Sequence, residues 1–278
     1  MSKVNYNDLV IKELNYNSYL KIPDLLSLQH QISEPTHHDE MFFIIIHQTA
    51  ELWFKEMIHE TTILVEAFRE GAVSKALKVL KRITQIMELQ IKQIRLLATL
   101  TPVEFAGFRS FLGRASGFQS AQYRLVEFTY GLRDTFFLRF FKEFPEVVAQ
   151  LEGILETPSV YDECLRCLHG AGHSVPKELL ERDFRGQWQV NTELSKVIRG
   201  VYEDPKGHYH WVLLFEAMID FDQALILWRK THAVMVQRTI GDKTGTGGSA
   251  GHNFLTSRES LQAFPELWDV RNQIGGSY

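Results

Sequence analysis

Apolar residues along this chain recur every three or four positions, and the strict alternation of half-buried strands is nearly absent. The first long pattern opens at Ser33 and Pro35 and runs to Gly71, glycine being a common helix stop. Its stretch Met41–Ile46 is apolar on all sides, which predicts a central, buried position. A second helix is expected with Ser74 as its cap and Leu77, Leu80, Met87, Ile91, Ile94 and Ala98 at helical spacing. Thr101, Pro102 and Glu104 read as a capping box with proline at the first helical position. The short helix they open carries Phe105, Phe108, Arg109 and Leu112, and the loop GRASG (113–117) breaks it.

Another helix is expected from about Ser120 to Gly131, and a further one begins after Thr157 and Pro158. The stretch from Gly170 to Gln187 reads as loop and short turns. The last long helix runs from near Gly207 to Gly241, with Phe221, Leu225, Trp228, His232, Met235 and Thr239 on one stripe. The low-complexity segment GDKTGTGGSAG follows it. With no internal repeat and no linker-like shift in composition, the pattern predicts one all-α domain over residues 1–278.

Composition narrows the class. With 45% apolar and 23% charged residues in 278, the chain can bury a large core. A net charge of -4 lacks the basic excess of a nucleic-acid-binding face. No apolar run approaches the roughly 18 residues of a membrane helix, and MSKVNYNDLV carries no apolar signal-like segment. Two cysteines fit a reduced, cytoplasmic protein.

Several residues could carry chemistry. His47 shares a helix face with Phe43 and Phe54, so it is either a core histidine satisfied by a hydrogen bond or a contact in a dry pocket. His232, between Trp228 and Val236, is either core packing or an axial ligand to haem iron, and spacing does not separate the two. Arg109, four residues after Phe105, is either a solvated surface arginine or a planar fork for a carboxylate. The run GTGGSA (245–250) matches G-x-G-x-x-A but follows a helix, which disfavours a dinucleotide fold. It reads as a flexible linker or as a loop closing over a ligand, with Thr246 or backbone N–H groups as contacts. Cys164, Cys167, His169 and His173 crowd into ten residues, unlike the separated ligand pairs of structural zinc. Glu56 and His59 lack the second helical Glu-x-x-His that a di-iron bundle needs.

Taken together, SEPTHHDEMFFIIIHQTAELWFK, TPVEFAGFRSFLGRASGFQSAQYR, LWRKTHAVMVQRTIG, KTGTGGSAG and FPELWDVR resemble the haem-dependent tryptophan 2,3-dioxygenases, from about Tyr16 to Arg271. The resemblance implies a helical domain holding haem b, one per subunit and ferrous when active, assembled as a homotetramer. It implies oxidation of L-tryptophan by O2 to N-formyl-L-kynurenine. His232 matches the axial iron ligand and His47 the distal histidine that meets the indole N–H. Phe43 and Phe105 match walls of the indole pocket, with Leu112 beside it, and Arg109 matches the clamp for the substrate carboxylate. Thr246 matches a loop threonine at the amino-acid end, and Ser116 and Gly117 match the loop beside the haem propionates. Tyr16 and Tyr19, in the N-terminal segment 1–30, match tyrosines that reach into a neighbouring subunit's pocket. Phe105 stands where some bacterial members carry Tyr, which removes one hydroxyl contact to the carboxylate. Two alternatives stay open: a related haem oxygenase for another indole, and a non-catalytic haem-binding protein.

Overall fold

A computed structural model describes residues 14–243, 245 and 252–275. The described chain opens with two single-turn helices, α1 (Tyr16–Tyr19) and α2 (Ile22–Leu25), neither of which buries a residue. The first long helix, α3 (His38–Arg69), is capped by the His37 ring, whose Nδ1 accepts the Asp39 N–H. Asp39 and Glu40 in its first turn complement the positive end of the helix dipole. Gly71, at φ +68, makes the left-handed turn that ends the hairpin's first arm. The second arm, α4 (Val73–Leu97), starts one residue before Ser74, and no side chain caps it. The tight turn itself supplies the missing partners, because Ala72 N–H reaches Ala67 O at 2.8 Å and Val73 N–H reaches Gly71 O at 3.0 Å. Ser74 is therefore a first-turn residue and not the expected cap.

The capping box of α5 (Pro102–Arg109) forms as the sequence indicates: Thr101 N–H donates to Glu104 at 2.7 Å, and Glu104 N–H to Thr101 Oγ1 at 3.3 Å. Leu112 lies just beyond it, in a 3₁₀ turn over Ser110–Leu112. Ser120 caps α6 (Ala121–Thr129). Then come α7 (Pro145–Leu155), α8 (Val160–Gly170), α9 (Lys177–Leu180) and α10 (Thr192–Glu203). The last long helix, α11 (Tyr209–Ile240), equals α3 at 32 residues and ends at Gly241 as expected. Two short helices close the described chain, α12 (His252–Thr256) and α13 (Pro265–Asp269). No strand occurs among the described residues, so the all-α class holds.

Helix α4 is packed between α3 and α11, while α6 and α8 cover α3 elsewhere. One large apolar cluster joins Met57, Leu64 and Phe68 of α3, Leu80, Ile83 and Met87 of α4, and Phe215, Met218, Phe221 and Leu225 of α11. A smaller one gathers Ile46, Ile94, Leu97, Leu100, Phe108 and Met235 toward the other end of the same helices. The Met41–Ile46 run departs from the expectation of full burial. Only Ile46 is buried, and Ile45 is 44% exposed. Phe42 and Phe43 pack only partly, because α4 and α5 cover one side of this stretch and leave Ile45 outward.

Buried carboxylates fasten the C-terminal segment to this frame. Asp222 of α11 accepts N–H bonds from Ala263 (3.0 Å), Phe264 (3.2 Å) and the Trp268 indole (2.9 Å). Glu266 accepts from Tyr161 Oη (3.0 Å), the Trp188 indole (2.9 Å) and Asn191 N–H (2.8 Å). Burial pushes both carboxyls above their ordinary values even against these donors. Replacing Asp222 by alanine strands three buried donors at roughly 1–3 kcal/mol each. Urea unfolding of Asp222→Ala is therefore expected to show a loss of at least about 3 kcal/mol, with a smaller loss for Asp222→Asn. Equal stability of Asp222→Ala and the parent would contradict this account of the docking.

Candidate active site

Between the two apolar clusters lies a cavity of about 310 Å³, walled by α3, α4, α5, α6 and α11. That is within the range of small-molecule sites. Phe43 and His47 reach it from α3, Phe105 and Arg109 from α5, and Trp228, His232 and Met235 from α11. The helical stripe read from the sequence thus splits by depth. Phe221 and Leu225 stay in the large core, whereas Trp228, His232, Met235 and Thr239 face the cavity.

The tautomer of His47 follows from its partner. Its Nδ1 lies 2.7 Å from the carbonyl oxygen of Phe43, one turn earlier. A carbonyl only accepts, so Nδ1 carries the proton and Nε2, on the ring's outer edge, is left as an acceptor. Much of the ring surface is open, but it opens into the cavity, with protein around it. Burial accordingly lowers its pKa, against the opposing effects of Phe43 O and Glu51.

His232 stacks on Trp228 at 5.4 Å and 16° between planes, and among the described residues its ring has no hydrogen-bond partner. Burial pulls its pKa down to about 4, with His47 and Arg124 adding to the shift. The site therefore holds two neutral imidazoles on different helices, each with a ring nitrogen free to act as an acceptor or ligand.

Phe43 and Phe105 line the wall beside His47, and the buried Phe108 packs against both. Phe43 lies 5.7 Å from Phe105 and 5.4 Å from Phe108, and Phe105 meets Phe108 edge-on at 5.4 Å. The Arg109 guanidinium stands 6.0 Å from the Phe105 ring centre. Ser116 caps the 3₁₀ turn Gly117–Gln119, and both Ser116 and Gly117 line the cavity. Leu112 does not line the cavity; it packs against the smaller cluster, as Phe43 and Phe105 also do. Tyr16 and Tyr19 are 72% and 70% exposed on α1 and do not line this chain's own cavity. Thr246 lies outside the described residues, although its neighbour Gly245 lines the cavity.

A buried ionic cluster in the wall was not singled out from the sequence. Glu127 accepts from Tyr123 Oη at 3.0 Å and Arg229 Nη2 at 3.2 Å, and also from Arg124 Nη1. Burial by itself would raise the Glu127 carboxyl, but Arg124, Arg229 and Arg258 hold it below its ordinary value. Two guanidinium groups share this one carboxylate, and the Nε atoms of Arg124 and Arg229 are buried without partners among the described residues. This end of the cavity is therefore cationic. A signal for it existed: Arg124 and Glu127 are three apart on α6, and Arg229 precedes His232 by three on α11.

This donor set fits an iron porphyrin. An unpaired neutral imidazole offers iron a nitrogen, apolar walls suit a macrocycle, and surplus guanidinium charge suits its carboxylate arms. His47 Nε2 and the Arg109 guanidinium stand on the same cavity wall.

The chain matches the family model described as tryptophan 2,3-dioxygenase over residues 3–159 and 155–274. It is 45% identical to the tryptophan 2,3-dioxygenase of Arthrobacter sp. (strain FB24) over 262 residues, covering 94% of this chain and 92% of that protein. The enzyme of the same name from Serratia proteamaculans (strain 568) is 42% identical over 264 residues, or 95% of this chain and 94% of that one. The one from Caulobacter vibrioides is 40% identical over 263 residues, covering 95% and 99% respectively.

The His232 environment makes the ligand-free protein acid-sensitive. Its pKa is about 4 when folded, below the ordinary 6.5 of an unfolded chain, so the unfolded state binds more protons between these values. Stability from this group is present above pH 6.5 and is lost as pH falls toward 4, by about 3 kcal/mol. His47 acts in the same direction. Melting curves at about pH 7.5 and pH 4.5 are expected to show a smaller acid drop for His232→Phe than for the parent, and equal drops would refute this origin.

Proposed function

Because the chain belongs to the tryptophan 2,3-dioxygenase family, we propose that its cavity holds haem b, one per subunit, with His232 as the iron ligand. The enzyme is an oxidoreductase that inserts both atoms of O2 across the indole C2–C3 bond of L-tryptophan, giving N-formyl-L-kynurenine. Haem, when bound, supplies the ferrous centre at which dioxygen is activated; the protein supplies position and environment. The cationic end formed by Arg124 and Arg229, with Ser116 and Gly117 nearby on the wall, would hold the carboxylate arms.

The observation that carries this reading is the pairing of protonation states in one cavity. His232 is neutral and without a partner among the described residues, and the Nδ1 proton of His47 is committed to Phe43 O. Nε2 of His47 can then accept the indole N–H, which orients the ring. Full removal of that proton by so weak a base is disfavoured, since indole N–H is far less acidic than imidazolium. His47 is accordingly assigned to positioning. Phe43 and Phe105 flank the indole, and Leu112 packs against the same apolar cluster as they do. Arg109 pairs with the substrate carboxylate through two parallel N–H bonds, and Thr246 meets the amino-acid end. A zwitterionic substrate explains a guanidinium beside aromatic rings better than a plain indole does, and a haem carrier would need neither.

Tyr16 and Tyr19 are assigned to a neighbouring subunit's pocket within a homotetramer. The support is the exposure of Leu14, Tyr16, Tyr19, Leu26, Leu28 and Ile32, apolar surface that a lone chain leaves in water. We take residues 1–278 as one helical domain with residues 1–30 as the segment that reaches across. No helix among the described residues is long and apolar enough to cross a membrane. Two free, buried cysteines support a reducing, cytoplasmic setting.

The iron ligand is tested by purifying His232→Ala: loss of the haem absorption band is expected, and full haem content would remove His232 from this role. The clamp is tested by Arg109→Ala. Truncating one partner of a buried charge-assisted pair costs about 2 kcal/mol or more, so KM for L-tryptophan is expected to rise roughly 30-fold with haem content unchanged. An unchanged KM would refute the clamp.

A further inference from the structure

We propose that His37 is a positioning residue for the substrate clamp, its ring seated against Gly107 so that it sets where α5 carries Arg109. The proposal rests on the assignment of Arg109 to the substrate carboxylate.

Gly107 is a glycine by necessity of approach. A Cβ at that position would lie 2.5 Å from His37 Nε2 and 2.7 Å from its Cδ2, closer than side-chain carbons come. The imidazole edge thus touches the α5 backbone directly, two residues before Arg109. The same ring meets Phe108 at 5.5 Å between centres.

The backbone of His37 is held on both sides, and one bond ties its ring to the head of α3. Its N–H donates to Ser33 Oγ at 2.9 Å, its carbonyl accepts from Gln31 Nε2 at 2.7 Å, and its Nδ1 accepts the Asp39 N–H at 3.4 Å. Ser33 is held in turn by Glu40, a carboxylate only 1% exposed, which also accepts the N–H groups of Ile32 (2.8 Å) and Ser33 (3.0 Å). The loop from Gln31 to Glu40 is a braced knot at the head of α3.

Helix α5 has eight residues, too few to fix its own direction. Phe105 and Phe108 pin one side of it to Phe43 of α3. Helix α11 also touches it, and Phe108 is buried in the smaller cluster. The His37 ring against Gly107 adds a support two residues before Arg109, where a small change in the roll of α5 bears most on the fork. A roll would move the Arg109 fork away from a carboxylate while leaving the phenylalanine wall nearly in place. Since misplacement by about 1 Å can cost two orders of magnitude, a small roll should be measurable.

The test uses the haem-loaded enzyme and two ligands: L-tryptophan, which has the carboxylate, and 3-methylindole, which lacks it. Calorimetry is expected to show Gly107→Ala weakening L-tryptophan about tenfold or more, with 3-methylindole changed less than about twofold. The variant His37→Ala is expected to give the same split at lower amplitude. The double variant His37→Ala/Gly107→Ala removes the clash and is expected to bind L-tryptophan more tightly than Gly107→Ala alone, a non-additivity that independent sites do not show. Unchanged binding of L-tryptophan in Gly107→Ala, equal weakening of both ligands, or no recovery in the double variant would overturn the proposal. If Gly107→Ala does not fold, His37→Ala decides: absence of the split overturns it. Arg109→Ala measured alongside separates the two ideas, because a clamp that fails shows no split there, whereas a failure of His37 alone leaves that split intact.

Discussion

Two imidazoles kept uncharged on the walls of one cavity impose the condition on which the remaining architecture depends. A protonated ring there would repel its neighbour and the guanidinium of Arg124, and would have no nitrogen free for a metal or an indole. The fold meets the condition by surrounding both rings with protein, and this burial lowers both pKa values. Helices α3, α4 and α11 close on one another at an apolar cluster toward each end and leave space between them. The Phe43 carbonyl then settles the tautomer of His47, so orientation comes from the helix that carries the ring.

Charge is treated differently at the other end of the same space. Glu127 stays ionised in a buried position because Arg124 and Arg229 flank it, so this wall carries two guanidinium groups to one carboxylate. The cavity therefore sorts its chemistry by wall: neutral nitrogen on α3 and α11, cationic nitrogen around α6, aromatic carbon from α5 and α3. Such a division suits an apolar macrocycle with acidic arms together with a substrate whose one end is an indole and whose other is a zwitterion. The small helix α5 depends for its bearing on its neighbours, and the His37 ring leaves no room for a side chain at Gly107.

Much of this was legible in the sequence. The 3.6-residue period, the Thr101–Glu104 capping box, the Gly71 and Gly241 stops and the His232 stripe all describe local physics, in which a residue interacts with those three or four positions away. The helices at residues 145–155 and 192–203 were not singled out, although Leu194, Ile198 and Val201 with the Asn191 cap carry the usual spacing. The family resemblance supplied the identity of the reaction and the roles proposed for His47, Arg109 and His232, which spacing left ambiguous between bland and chemical readings.

The sequence by itself determined which segments are helical and which faces are apolar, because both follow from short-range periodicity and capping. Only the tertiary structure decided that the all-round apolar run Met41–Ile46 is half open, that Leu112 stays off the cavity lining and that Glu127 balances two arginines. It also decided that the ring of His37 rests on the backbone of Gly107. Those facts depend on residues far apart in the chain meeting across helix contacts, and no local period encodes the distance between two helices.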